Sequence, residues 1–130
     1  MHLLLDTCAL VFFVEDTGQL SNEAMGHLTA DDAEVYVSAV SIAELACGQE
    51  RRRIQLTLHW KQWWAEALRR NGWECLPISP EIMAEAWSLP GTLHGDPADR
   101  LLVATARIER MTLITTDPRL LEYPHLTTLC

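Results

Sequence analysis

Short apolar runs alternate with longer stretches of helical spacing along the whole chain. Residues 2–6, His-Leu-Leu-Leu-Asp, read as a short and fully buried strand, because an unbroken apolar run leaves no solvent face. Asp6-Thr7 then opens a helix to about Glu15, and Ser21 caps a helix reaching about Thr29. Val35 to Val40 is rich in strand-forming residues. Ser41-Ile42-Ala43-Glu44 has the form of a capping box ahead of helical Leu45-Ala46. From Ile54 to about Arg70 the spacing predicts one helix. Leu56, Trp60, Trp63 and Ala67 form its apolar stripe, Trp64 and Leu68 lie beside it, and Asn71-Gly72 ends it. Trp73 to Ile78 reads as a strand, and Pro80 begins a helix that stops before Pro90. Asp96 as N-cap and Pro97 as first helical residue start a helix through Arg110. Thr112 to Thr116 is the last strong strand, Asp117-Pro118 turns the chain, and Leu126 to Leu129 predicts a short edge strand. Strands alternating with helices predict an α/β fold, a three-layer α/β/α sandwich with a mostly parallel sheet, in a single domain over residues 1–130.

In such a sheet the carboxyl ends of the strands share one edge, and sites form there. Four acids stand where a strand gives way to a helix: Asp6, Glu44, Asp99 and Asp117. Each has a local explanation as a cap, a capping-box partner or turn chemistry. Together those explanations predict convergence, and converging carboxylates raise one another's pKa. Without metal, Asp6, Asp99 and Asp117 should repel one another. A hard divalent cation relieves that cost, and Mg²⁺ or Mn²⁺ prefers carboxylate and water ligands. Asp6, Asp99 and Asp117 are the expected direct or water-bridged ligands. Glu44 either binds the metal or orients an attacking water.

A chain of 130 residues, nearly half of them apolar, can bury a core without disulfides. Its longest apolar stretch, Cys8 to Val14, is too short to span a bilayer, and no signal-peptide pattern precedes it, so a soluble, cytoplasmic protein is expected. Cys8, Cys47, Cys75 and Cys130 are scattered, which suits free and mostly buried thiols rather than a zinc site. A net charge of −8 argues against broad electrostatic affinity for nucleic acid. The basic residues are clustered at Arg51-Arg52-Arg53, Lys61, Arg69-Arg70, Arg100, Arg107 and Arg110, where local patches can hold phosphates.

The chain resembles PIN domains, and among them the VapC-type toxins of toxin–antitoxin pairs. The resemblance rests on Leu3-Leu4-Leu5-Asp6-Thr7-Cys8, on Ser41-Ile42-Ala43-Glu44-Leu45, on His94-Gly95-Asp96-Pro97-Ala98-Asp99-Arg100 with the helix that follows, and on Leu113-Ile114-Thr115-Thr116-Asp117. It implies an endoribonuclease dependent on Mg²⁺ or Mn²⁺, a homodimer, and a small antitoxin protein that blocks the active site. By motif position Asp6, Glu44, Asp99 and Asp117 carry over as the catalytic and metal-binding acids. Asp96 belongs to an Asp-Pro-x-Asp-Arg variant of the motif and is a further candidate ligand, although its N-cap role accounts for it fully. Thr7 and Thr116 are candidates to hold the acids by hydrogen bonds. His94 either contacts RNA phosphate, donates a proton or caps a loop. Trp60, Trp63 and Trp64 have the spacing of a packed face, in the core or at an interface, and an antitoxin helix is the expected cover. A receiver domain would need paired acids after the first strand and a lysine after the last, and an Asp-x-Asp phosphatase would need an acid where Cys8 stands. The remaining rival is a metal-bound scaffold of the same fold that binds RNA or a protein without cutting.

Overall fold

A computed structural model describes residues 1–130. Five strands, β1 (His2–Leu5), β2 (Glu34–Ser38), β3 (Glu74–Leu76), β4 (Thr112–Ile114) and β5 (Thr128–Leu129), form one sheet in the order β3-β2-β1-β4-β5. Every pairing is parallel. β1 is central because all three of its leucines are fully buried, which only a strand covered on both faces requires.

The pleat divides those leucines. Leu3 and Leu5 join Val35, Val37 and Ile114 on one face of the sheet. That face packs against α1 (Thr7–Val14), α2 (Asn22–Thr29), α3 (Val40–Glu50) and α4 (Trp60–Asn71). Leu4 and Leu113 point the other way, into a core with Leu102, Val103 and Ala106 of α6 (Pro97–Ile108) and Leu120 of α7 (Pro118–Leu121). α5 (Pro80–Ala86) packs on α6 through Ile82, Ala86, Leu101 and Ala104. The sandwich is therefore three layers, as the alternation predicts. No helix is long and apolar enough to cross a membrane.

Local chemistry differs from expectation at several points. Helix α3 starts at Val40, inside the expected strand, because Ser38 Oγ accepts from the Val40 N–H at 3.1 Å and supplies the hydroxyl at the helix entry. The Ser41–Glu44 capping box does not form; Ser41 lies within the helix, and both side chains turn to Thr7 instead. Residues 54–59 are not helical. The chain takes a left-handed step at Arg52 (φ 57°), and Gly48 O accepts from the N–H groups of Arg53 and Ile54. Gln49 then fastens the entry to α4, accepting from Trp60 N–H at 2.8 Å and donating to Leu58 O at 2.9 Å. Asp117-Pro118 begins a single helical turn, α7, rather than a plain reversal. The cysteines are not mostly buried: Cys8, Cys47 and Cys130 are exposed and Cys75 is intermediate.

Of the tryptophan stripe, Trp63 belongs to this chain's own core, while Trp60 and Trp64 are partly buried at its edge. Trp63 is 2 % exposed, its indole N–H donates to Glu15 Oε1 at 3.2 Å, and Trp60 and Trp64 pack against the same cluster. Trp63→Ala should lower unfolding free energy by about 3–5 kcal/mol, the cost of emptying a core aromatic site. An unchanged denaturant midpoint would mean that the indole does not stabilise the monomer.

Candidate active site

The acids are delivered by the ends of neighbouring elements. Asp6 follows β1, and its backbone N–H donates to Ile114 O at the end of β4. Its carboxylate caps α1 by accepting from Ala9 N–H at 2.8 Å. Glu44 lies one turn into α3. Asp99 sits in the first turn of α6, where its N–H donates to the Asp96 cap at 3.0 Å. Asp117 caps α7 just beyond β4. All four line one cavity of about 870 Å³, with Asp96 at its exposed rim. The four acids thus share a cavity, although only Asp99 and Asp117 of them, together with His94, have ligand atoms close enough to share one ion.

Their electrostatics differ. Asp6 is almost fully buried, and its carboxyl is pushed up to about 6. Desolvation is the main cause and the charges of Asp99 and Asp117 add to it, against hydrogen bonds from Thr115 and Ala9. Glu44 is also raised by burial, opposed by the Thr7 hydroxyl that donates to Oε1 at 2.5 Å. Asp99 is raised by burial and opposed by His94, whose Nε2 lies 2.7 Å from Asp99 Oδ2. Asp117 goes the other way, held below the usual range by Arg119. That guanidinium contacts Asp117 Oδ1 through Nε at 3.3 Å and Oδ2 through Nη2 at 3.0 Å. Burial is thus the main cost at Asp6, Glu44 and Asp99, with neighbouring carboxylates adding to it, whereas Asp117 is lowered by the Arg119 guanidinium that faces it.

The tightest cluster of ligand atoms is His94, Asp99 and Asp117, all within 4.8 Å of one another. Asp6 and Glu44 stand behind it, engaged with Ala9 and Thr115, and with Thr7. His94 is thus part of the constellation, as partner of Asp99; its Nδ1 is buried without a partner. Asp96 keeps its capping role. Thr115 rather than Thr116 acts on Asp6, opposing the rise of its carboxyl, and Thr115 Oγ1 accepts from Asp117 N–H at 3.1 Å. Thr7 acts as expected, bridging Ser41 and Glu44.

Arg100 does not serve a phosphate. It donates to the backbone carbonyls of Ala86, Leu93 and His94, and so shapes the loop that carries His94. Arg69 pairs with Glu66, and Arg107 with Glu85. Arg51 and Arg53 line the acid-bearing cavity and are the basic residues left for a polyanion there. Cys8 lines it too, but desolvation and the carboxylates around it push its thiol up to about 11, so it is no nucleophile at neutral pH. Arg119 was invisible in the sequence: an arginine two residues after a capping acid is unremarkable, and only its rotamer turns it back onto the site.

The PIN domain family model matches residues 3–126. The chain is 38 % identical over 126 residues to Ribonuclease VapC22 of Mycobacterium tuberculosis, a match covering 95 % of this chain and 92 % of that protein. Among solved structures it is similar to VapBC2 from Rickettsia felis bound to a DNA fragment from their promoter, with a TM-score of 0.73 and 21 % identity over 98 % of this chain and 97 % of that one. It is also similar to FitAcB from Neisseria gonorrhoeae, with a TM-score of 0.62 and 25 % identity over 98 % of this chain and 96 % of that one. A toxin–antitoxin complex from Klebsiella pneumoniae shares the fold at a TM-score of 0.66 and 22 % identity, over 98 % of this chain and 96 % of that one.

Proposed function

The chain belongs to the PIN-domain family and, within it, to the VapC toxins of VapBC toxin–antitoxin systems, and from that premise we propose that it is an endoribonuclease whose acids hold Mg²⁺ or Mn²⁺. The observation that carries this reading is the cavity where Asp6, Glu44, Asp99 and Asp117 meet, with ligand atoms of His94, Asp99 and Asp117 within 4.8 Å. The donor set fits a hard divalent cation, and an arginine already supplies positive charge to it. Asp99, Asp117 and Asp6 would hold the ion, directly or through water, with His94 beside Asp99. Bound there, such an ion would supply Lewis-acid activation of water and charge stabilisation at the phosphate.

The remaining work falls to the chain's own side chains. Glu44, raised by burial and oriented by Thr7, accepts the proton of the attacking water. The water oxygen bonds to phosphorus, the P–O bond to the departing ribose oxygen breaks, and that oxygen takes up a proton from solvent water. Thr115 and the Ala9 N–H fix Asp6, and His94 fixes Asp99. Arg51 and Arg53 bind phosphates away from the cut.

The reading extends to an RNA substrate, a VapB-type antitoxin that covers the cavity, and a second copy of the chain in a homodimer. It is tested with purified protein and single-stranded RNA. Internal cuts with Mg²⁺ or Mn²⁺, falling about a hundredfold or more in excess EDTA, are expected. Equal cutting in EDTA would sink it, and metal binding without cutting would leave the scaffold reading in its place.

A further inference from the structure

The acidic cluster already holds one cation of its own. Arg119 Nη2 lies 3.0 Å from Asp117 Oδ2 and 3.7 Å from Asp99 Oδ2, so the guanidinium spans the two carboxylates. The same Asp99 oxygen takes His94 Nε2 at 2.7 Å from the other side. A divalent ion coordinated by Asp99 and Asp117 needs these oxygens, and two cations do not share them without mutual repulsion. The arginine side chain is 59 % exposed, so solvent screens its pairing and the hold is weak. It is carried by α7, a single turn at the end of β4, next to the capping acid it contacts. Its guanidinium pairs with no carboxylate besides these two, so once freed it stays beside the acids.

We propose that Arg119 is a two-position catalytic residue, which neutralises Asp99 and Asp117 in the cation-free protein and, displaced by the bound cation, grips the RNA phosphate being cut. The proposal rests on the metal-dependent reading of the site. A guanidinium suits the second position because its planar fork meets two phosphate oxygens at once. It also stays charged throughout, so it stabilises the negative charge on phosphorus without taking a proton. The displacement also gives the exchange a direction. The positive charge leaves the carboxylates only when a stronger one arrives, and the arginine becomes available for phosphate at the same moment.

The test uses the whole protein as wild type, Arg119→Gln and Arg119→Lys. Thermal melts establish that each is folded, which the exposed position favours. Mn²⁺ binding is measured alone, without RNA, by titration calorimetry. Cleavage of single-stranded RNA is then measured at saturating Mn²⁺, with kcat and KM separated. Arg119→Gln should bind Mn²⁺ about three- to fivefold more tightly, because its competitor is gone. It should nevertheless lose about a hundredfold in kcat/KM. Arg119→Lys should regain part of the cleavage, since it keeps the charge but not the fork. Unchanged or weaker Mn²⁺ binding in Arg119→Gln overturns the first position, and unchanged cleavage overturns the second. A wild type that neither binds Mn²⁺ nor cuts RNA overturns the site reading beneath both.

Discussion

Asp99→Asn should leave a folded protein that cuts RNA roughly a thousandfold more slowly at saturating substrate. Asp99 Oδ2 lies 2.7 Å from His94 Nε2 and 3.7 Å from Arg119 Nη2, at the centre of the His94, Asp99 and Asp117 ligand group. Asparagine keeps the size and still accepts from His94. Its backbone N–H still donates to Asp96, so the start of α6 survives. What goes is one full negative charge facing the cation. Loss of several kcal/mol of metal-derived stabilisation of the transition state corresponds to about three powers of ten in rate. Circular dichroism and a melt establish the fold, and an internal-cleavage assay with Mn²⁺ reads the rate. A variant cutting within about tenfold of wild type would remove Asp99 from the catalytic set.

Asp6→Asn should do two opposite things, losing activity and gaining cation-free stability. Asp6 rises from 3.8 to about 6 on folding, chiefly because the carboxylate is buried. Between those values the folded chain holds a proton that the unfolded chain has released. Stability is therefore undiminished below about pH 4 and falls as pH rises through about 6. The loss from this one group is on the order of 3 kcal/mol. Glu44 and Asp99 are raised and push the same way, while Asp117 is lowered and opposes them. Asparagine carries no charge to desolvate, and it still accepts from the Ala9 N–H as a helix cap. In EDTA at about pH 7.5 the variant should melt several degrees above wild type, with the gap closing near about pH 4. Added Mn²⁺ should raise the wild-type melting temperature more than the variant's. A variant that melts lower than wild type at about pH 7.5 would show that the charge, not its absence, stabilises this corner.

Much of this site was legible because its acids do two jobs. Asp6, Asp96 and Asp117 cap helices, and capping residues betray themselves locally, so the strand-end pattern led to the right edge of the sheet. The strand–helix alternation likewise carried the fold, since buried parallel strands such as Leu3-Leu4-Leu5 leave an unbroken apolar signature. What escaped depends on contacts distant in sequence. Ser41 and Glu44 fit a capping box, yet Thr7 from another helix claims both. Residues 54–59 have helical spacing, yet Gly48 and Gln49 hold their backbone in a different path. Arg100 looked like a phosphate binder, yet three backbone carbonyls use it. Arg119 reaches the cluster only through its side-chain conformation.

The pairing of β1 with β4 joins the first strand of the chain to one near its other end. The Asp6 N–H bonds to Ile114 O, and Thr115, which fixes the Asp6 carboxylate, comes immediately after. During synthesis, then, the early segments can gather β1, β2 and the first helices while Asp99, Thr115 and Asp117 have yet to be made. Parallel pairings of such separation also form late, because a long loop must close before any contact rewards it. The ordering acts as a timer: a growing polypeptide carries Asp6 long before Asp99 and Asp117, and the acids cannot meet until β4 has been made.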